Sequence, residues 1–532
     1  MMEVTVLKLN KRIIITIVFL IVIAAGTFFV WAADQKEKSE ELDYEHLNRF
    51  RDVMVRILDY YVEEKEFEEL IDAAITGMLK ELDPHSVYLD EQQYENLMID
   101  TEGEFGGLGI QIVVRDDYPT VISPMDDTPA MRLGIQGGDR IVDIEGESTK
   151  GWSSDQAVKK LRGSPGTQVN IKIGREGLDE SIPFTITREI IKVPSITYST
   201  IMEDVGYIRI ARFAKKTAGE LSEMLRSFES RNINGVILDL RGNPGGLLSA
   251  AFEVSDLFLE KNKLIVYTEG RITENSQKFH SHANNLHGNY PVVILINGAS
   301  ASASEIVAGA LQDWDRAVIV GQTSFGKGSV QTVFRVGKND ALKLTTQKYF
   351  TPTGRCIHKD YDENGDVVIT EDSEKEYFTA SGRAVYGGGG ITPDWKIELS
   401  KFTEFQRELE IRSTFFSFAV HYTAYHDVNE DFQVDDMVMD EFNKHLAEKE
   451  VEHSPEDWSD ENTDYIKRAI KREIFRKLYG TKGAYIATLD NDEEVVKVLE
   501  MFRNAPTLEK MFSYVAEQQK IEVQQAETTE KK

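Results

Sequence analysis

Between Val205 and about Leu399, short and continuously apolar runs alternate with stretches of helical periodicity. Val205–Ile210, Val236–Leu240, Val292–Ile296 and Ala317–Val320 read as strands, and Ala218–Phe228, Leu248–Phe258 and Ala303–Leu311 read as helices between them. A strand apolar on both faces must be covered on both. Strands separated by helices pair in parallel, so this stretch predicts a largely parallel α/β layer. Layers of this kind place their sites at the carboxyl ends of the strands. Here three of those ends lead into turns of small residues.

The first turn is Asn297-Gly298-Ala299-Ser300-Ala301-Ser302-Ala303-Ser304-Glu305. Small residues let a ligand approach the backbone, and the unpaired amides of the following helix point outward with the positive end of its dipole. A serine there sits beside donors suited to an oxyanion. An ordinary Ser-rich N-cap is the alternative, since serine is a favoured cap and three serines cannot all be nucleophiles.

The second turn, Gly321 to Gln331, follows the strand ending at Val320. It holds Gly326-Lys327-Gly328, close to a phosphate-binding loop, but the residue after the lysine is Gly328 where magnesium needs Ser or Thr. Val330–Val336 then reads as a strand and not as the helix that would cradle phosphate. A lysine between glycines, near Phe325 and Val330, is instead suited to partial burial, which disfavours its charged form and makes it a base near neutral pH. The third turn, Asp239-Leu240-Arg241-Gly242-Asn243-Pro244-Gly245-Gly246, can expose a backbone amide near a substrate or be a plain turn.

Upstream, residues 103–188 carry short β-branched runs broken by glycine, with one helical insert at Ser154–Leu161. Gly106-Gly107-Leu108-Gly109-Ile110 opens one of these strands. A glycine turn before an edge strand can offer amides to a peptide's terminal carboxylate while the edge takes the peptide as an added strand; it can equally be a hairpin turn. His280, His282 and His287 could be weighed as zinc ligands, but their polar surroundings with Asn284 and Asn285 predict a solvated loop.

The ends of the chain are different in character. Lys8, Lys11 and Arg12 precede an apolar run from Ile13 to Ala33, and acidic residues follow it. That run is just long enough to cross a bilayer and is oriented with its N-terminus inside. It reads as an uncleaved anchor, with cleavage after Ala32 as the alternative. Residues 42–82 show two amphipathic helices stopped by Asp83-Pro84. Beyond Lys401 the chain is helical and acidic, contributing much of the net charge of −29, and its last ten residues read as disordered. A chain this acidic repels a phosphate backbone, so a general nucleic-acid binder is excluded. The single cysteine, Cys356, excludes an intramolecular disulfide framework.

Taken in order, Gly-Leu-Gly-Ile, Asp-Leu-Arg-Gly-Asn-Pro-Gly-Gly, Ser-Ala-Ser-Ala-Ser-Glu and Phe-Gly-Lys-Gly-Ser-Val-Gln closely resemble the carboxyl-terminal processing, or tail-specific, serine peptidases over about residues 45–400. The resemblance implies a PDZ domain joined to an α/β peptidase core with a Ser-Lys dyad. By that analogy Ser302 is the nucleophile, Lys327 its base and Gln331 the glutamine that orients the lysine. The oxyanion donors are the amides of Ala303 and of Gly245 or Gly246. Gly107, Leu108, Gly109 and Ile110 receive the substrate's C-terminus, and Arg162 reports PDZ occupancy to the core. No metal, nucleotide or other cofactor is implied.

The expected architecture is a multidomain α+β chain. It comprises a signal anchor or signal peptide (1–33), N-terminal helices (40–95), a PDZ domain (103–188), a peptidase core (195–400) and an acidic helical extension with a disordered tail (401–532). The expected function is a serine endopeptidase of the cell envelope. Its catalytic part lies on the extracytoplasmic side and acts on partly unfolded proteins with exposed C-termini, as a homo-oligomer or with an adaptor. A catalytically inert, membrane-anchored PDZ scaffold is the alternative, against which the intact serine and lysine speak.

Overall fold

The computed structural model describes residues 44–282, 287–361, 367–368, 375–398 and 400–530. The apolar run Ile13–Ala33 lies outside the described residues, and among those described no helix is long and apolar enough to cross a membrane. The chain divides into two compact units, one ending at Tyr88 and one beginning at Leu89. In the first, one helix runs to residue 60 and a second spans Phe67–Lys80. The Asp83-Pro84 step then turns the chain, with Asp83 Oδ1 accepting the amides of His85 and Ser86.

The second unit opens with a helix, Glu91–Glu102, that no apolar periodicity announces because it is polar nearly all round. Its signals are a capping box between Asp90 and Gln93 and a left-handed Gly103 that ends it. Five antiparallel strands follow in the order Ile110–Arg115, Tyr118–Pro124, Arg140–Ile144, Gln168–Gly174 and Ile182–Thr187. Gln168–Gly174 alternates strictly, burying Val169, Ile171 and Ile173 under the helix Ser154–Leu161. Ile110–Arg115 is at the edge of this sheet, as expected.

The central sheet is ordered Ile196–Met202, Val205–Ile210, Gly235–Asp239, Val292–Ile296, Val318–Gly321 and Trp395–Lys396. Its first pair is antiparallel and the rest are parallel. On one face the helices Thr217–Glu229, Leu248–Asp256 and Ala303–Asp313 cover Ile208, Val236, Leu238, Ile294 and Ile296. The opposite face, with Tyr207, Ile237, Val293, Leu295 and Val320, is covered by Val495, Val498, Leu499, Met501 and Phe502 of the helix Glu493–Asn504, and by Met511 and Val515 of Leu508–Glu530. The acidic extension therefore supplies the second helical layer that doubly apolar strands require.

The rest of the extension joins the two β domains. Phe416 lies under Arg115, and Val420 and Lys477 fill the space beside Gly138 and Gly137. The helix Asp460–Thr488 kinks at Tyr479 and Gly480, after which Tyr485 stacks on Tyr198 of the central sheet at 5.1 Å. The helix Leu508–Glu530 also continues through most of the segment expected to be disordered. Met511 and Val515 dock its first half, Gln519 donates to the Asp394 carbonyl, and the Glu, Gln and Ala that follow favour helix propagation.

Candidate active site

Each of the three small-residue turns follows a strand of the central sheet, after Asp239, Ile296 and Gly321. Ser302 caps the helix Ala303–Asp313 with φ 54° and ψ −111°, a conformation that side chains other than glycine rarely adopt and that costs about 1–3 kcal/mol. The neighbouring serines are structurally occupied. The Ser300 hydroxyl donates to the Leu240 carbonyl at 2.8 Å and that of Ser304 to the Asn243 carbonyl at 3.0 Å, both fully buried. They tie the serine turn to the Asp239–Gly246 turn. Ser302 is half-buried between them.

Gly245 lies directly against Ser302. A Cβ placed on Gly245 would meet Ala301 O at 2.7 Å, Ser302 Cβ at 2.8 Å and Ala303 N at 2.9 Å, so only glycine fits. The Gly245 amide, however, already donates to Asn243 Oδ1 at 2.9 Å. Among the described residues the amides of Gly246 and Ala303 donate to no acceptor.

Lys327 is half-buried, as its glycine brackets suggested. Both brackets favour glycine: Gly326 has a φ of 90°, and a Cβ at Gly328 would come within 2.8 Å of the His358 backbone nitrogen. Gln331 Nε2 donates to Ser329 Oγ at 2.9 Å and Thr345 Oγ1 at 3.3 Å, bonds that lie within the hairpin Ser329–Val336/Asp340–Phe350.

Two groups that sequence reasoning left without a role join the serine to the lysine. Glu305, 1% exposed, accepts the amides of Ser302 (2.7 Å) and Lys327 (2.9 Å) on Oε2, and the Gly326 amide (2.7 Å) and Ser324 hydroxyl (2.5 Å) on Oε1. Burial pushes its carboxyl above the usual value against the pull of these four donors. On the opposite side, the Tyr349 hydroxyl shares its proton between the carbonyls of Lys327 (2.5 Å) and Ser302 (3.1 Å). The Ser-x-x-Glu spacing from Ser302 to Glu305 was the available signal, because it is a capping-box pattern.

Beneath the third turn, Asp239 is fully buried and receives the Tyr207 hydroxyl (2.6 Å), Arg209 (2.7 Å) and Arg241 (2.6 Å). Burial alone would raise its carboxyl, but the two guanidiniums hold it well below the carboxylate range.

A cavity of about 60 Å³ lies between the edge strand Ile110–Arg115 and the helix Ser154–Leu161, lined by Leu108, Gly109, Ile110, Ile112, Val158 and Leu161 with Phe105 and Arg162. Among the described residues the amides of Leu108 and Gly109 donate to no acceptor. Gly107 lies outside the lining and packs on the Phe105 ring. Arg162 stacks on Phe105 and donates to Asn96 Oδ1 at 2.6 Å, which attaches it to the helix Glu91–Glu102.

The solvated-loop expectation fails at His287. Its ring is buried, with Nε2 2.9 Å from Ser222 Oγ and Nδ1 3.0 Å from Glu229 Oε1. These partners offset the cost of burying the ring. His280 and His282 are exposed. Among the described residues no group of three His, Cys, Asp or Glu could hold a metal.

Comparison with known proteins identifies the family and the domains. Residues 204–374 match the model of peptidase family S41, 96–174 that of the PDZ domain, and 25–93 that of the activating protease CtpB N-terminal domain. The carboxy-terminal-processing protease of Bartonella bacilliformis is 41% identical over 360 residues, 67% of this chain and 82% of that protein. This chain belongs to the carboxy-terminal processing proteases. A second member of the family, CtpA of Bacillus subtilis, is 33% identical over 352 residues, covering 66% of this chain and 75% of its own. Among solved structures, a photosystem II D1 C-terminal processing protease aligns at 25% identity over 60% of this chain and 91% of its own, with a TM-score of 0.35. As a carboxy-terminal processing protease, the protein is a serine-type peptidase that carries a PDZ domain.

Proposed function

We propose that the protein is a membrane-anchored endopeptidase of the cell envelope that captures exposed C-termini in its PDZ groove and cleaves by a Ser302–Lys327 dyad through an acyl-enzyme. The observation that carries this reading is the pinning of Ser302 and Lys327 by common groups, Glu305 at their amides and Tyr349 at their carbonyls, while Ser300 and Ser304 are spent on structure.

The substrate's terminal carboxylate meets the unengaged Leu108 and Gly109 amides, and its last apolar side chain enters the cavity between Ile112 and Val158. Neutral Lys327 takes the Ser302 hydroxyl proton as Oγ bonds to the scissile carbonyl carbon. The oxyanion so formed accepts the amides of Ala303 and Gly246, the two left unengaged, while Gly245 makes room for it. The C–N bond breaks, and the leaving amine takes its proton from Lys327. Water then loses a proton to Lys327 and attacks the ester carbonyl; the acyl C–Oγ bond breaks, Lys327 returns that proton to Ser302 Oγ, and the product acid leaves and ionises to a carboxylate. Gln331 contributes through the hairpin it braces. The run Ile13–Ala33 tethers the enzyme, with cleavage after Ala32 as the alternative, and places catalysis outside the cytoplasm.

The deciding experiment uses purified Ser302→Ala and Lys327→Ala proteins with an unstructured peptide ending in a free carboxylate. Each is expected to lose at least 10³-fold in kcat, the usual consequence of removing a member of a nucleophile–base unit. Hydrolysis at the wild-type rate by either variant would remove the dyad assignment.

A further inference from the structure

Arg241 opens the turn that carries Gly245 against Ser302, and its guanidinium has two sets of partners. The local one is Asp239. The other comes from the far end of the chain, where Nη1 donates to Glu494 Oε2 at 2.5 Å and Nη2 lies 2.9 Å from Asp492 Oδ2. Asp492 caps the helix Glu493–Asn504, accepting the amides of Glu494 and Val495, so the helix start presents both acids together.

Glu494 is 1% exposed. Its second oxygen, Oε1, accepts no hydrogen bond among the described residues, and it lies so close to Gly321 that a Cβ there would sit 3.1 Å away. One buried carboxylate of the extension thus bonds to the turn leading to Gly245 and lies beside the first residue of the loop leading to Lys327. Val495, Val498, Leu499, Met501 and Phe502 already hold this helix to the sheet, and a buried ion pair is often no better for stability than well-packed apolar residues. What a fixed anion at this point does provide is a fixed Arg241.

We propose that Glu494, assisted by Asp492, is a positioning residue of the peptidase. The C-terminal extension completes the active site by clamping Arg241, and through it the turn at residues 242–246, in the conformation that stabilises the oxyanion. This rests on the reading of Ser302 as nucleophile and of that turn as an oxyanion donor.

The test uses the full chain and the same peptide. Glu494→Gln keeps the volume and removes the charge, and is expected to lower kcat at least tenfold with KM within twofold, because the turn acts on the transition state. Arg241→Gln is expected to lose at least as much, and the double variant no more than the worse single. Val498→Ala thins the apolar face of the same helix away from Arg241, and is expected to lower Tm with kcat within twofold.

The proposal is overturned if Glu494→Gln keeps kcat within twofold of wild type or alters KM alone. It is equally overturned if the two single losses multiply in the double variant, or if Val498→Ala loses as much kcat as Glu494→Gln. Should Glu494→Gln not fold, Asp492→Asn is read by the same criteria. An active Ser302→Ala removes the underlying reading, whereas an inactive Ser302→Ala beside an undiminished Glu494→Gln removes this proposal alone.

Discussion

Ser302 and Lys327 present their backbone amides to the same oxygen, Oε2 of Glu305, at 2.7 and 2.9 Å. Distance between two loops is usually set by packing and is correspondingly soft. Here it is set by two hydrogen bonds to one buried anion, which are short and strong. A neutral amide at position 305 cannot accept from four donors. We therefore predict that Glu305→Gln lowers kcat by on the order of 10²-fold or more, at about 1.5–3 kcal/mol for each lost hydrogen bond to a charge. Helix content by circular dichroism should be retained. Steady-state hydrolysis within a few-fold of wild type would show that the clamp is not needed.

Gly245→Ala is expected to abolish hydrolysis. The added methyl would fall within 3 Å of Ala301, Ser302 and Ala303 on a backbone with φ of 99°. A destabilisation of about 1–3 kcal/mol should accompany it from the backbone alone. Thermal melting and peptide cleavage together check this, and retained cleavage would mean that the turn can withdraw from Ser302 without consequence.

In the PDZ groove, Val158→Trp should fill the small cavity and weaken binding of a peptide with an apolar C-terminal residue at least tenfold, a change of about 1.4 kcal/mol. Amidating the peptide's carboxylate should weaken binding to the wild-type protein as well, since the Leu108 and Gly109 amides then lose their anion. Fluorescence anisotropy titration measures both. Equal affinity for the acid and the amide would move the carboxylate site elsewhere.

Acid sensitivity should have one source in the extension. His445 is buried between Phe418 and Ser417, with Nε2 2.8 Å from the Ser417 hydroxyl, and burial, aided by Lys449 and His421, pushes its pKa down to about 4. In the unfolded chain it titrates near 6.5, so between those values the unfolded state binds more protons and stability falls as pH falls. The loss should begin below about pH 6.5, level off near pH 4 and reach on the order of 1–3 kcal/mol. Urea midpoints of wild type and His445→Asn measured across this range should converge at low pH. Parallel curves would acquit His445.

Much of the scaffold was legible because its signals are local. The doubly apolar run Val292–Ile296 could only be a central strand, and the serine and lysine turns announce their place at strand ends through small residues and glycine. The site was legible as positions but not as contacts. Local chemistry does not separate Ser300, Ser302 and Ser304, which only the family resemblance distinguished; they differ physically once the carbonyls of Leu240 and Asn243 arrive to take two of the hydroxyls. His287 read as solvated because nothing near it in sequence shows that Ser222 and Glu229 will enclose it. The helix Glu91–Glu102 escaped because it lacks an apolar stripe and rests on its caps.

The sequence by itself determined the kinds of element, the three turns and the family resemblance that assigned roles to Ser302 and Lys327. All of these depend on residues within a few positions of one another, where periodicity, capping and backbone sterics act. Only the tertiary structure decided that Glu305 joins the serine to the lysine, that Gly245 touches Ser302, and that Glu494 of the acidic extension grips Arg241. A buried charge must find its partners wherever the fold brings donors to it. The extension after Lys401, legible in the sequence only as helical and acidic, therefore includes a carboxylate sealed beside Arg241.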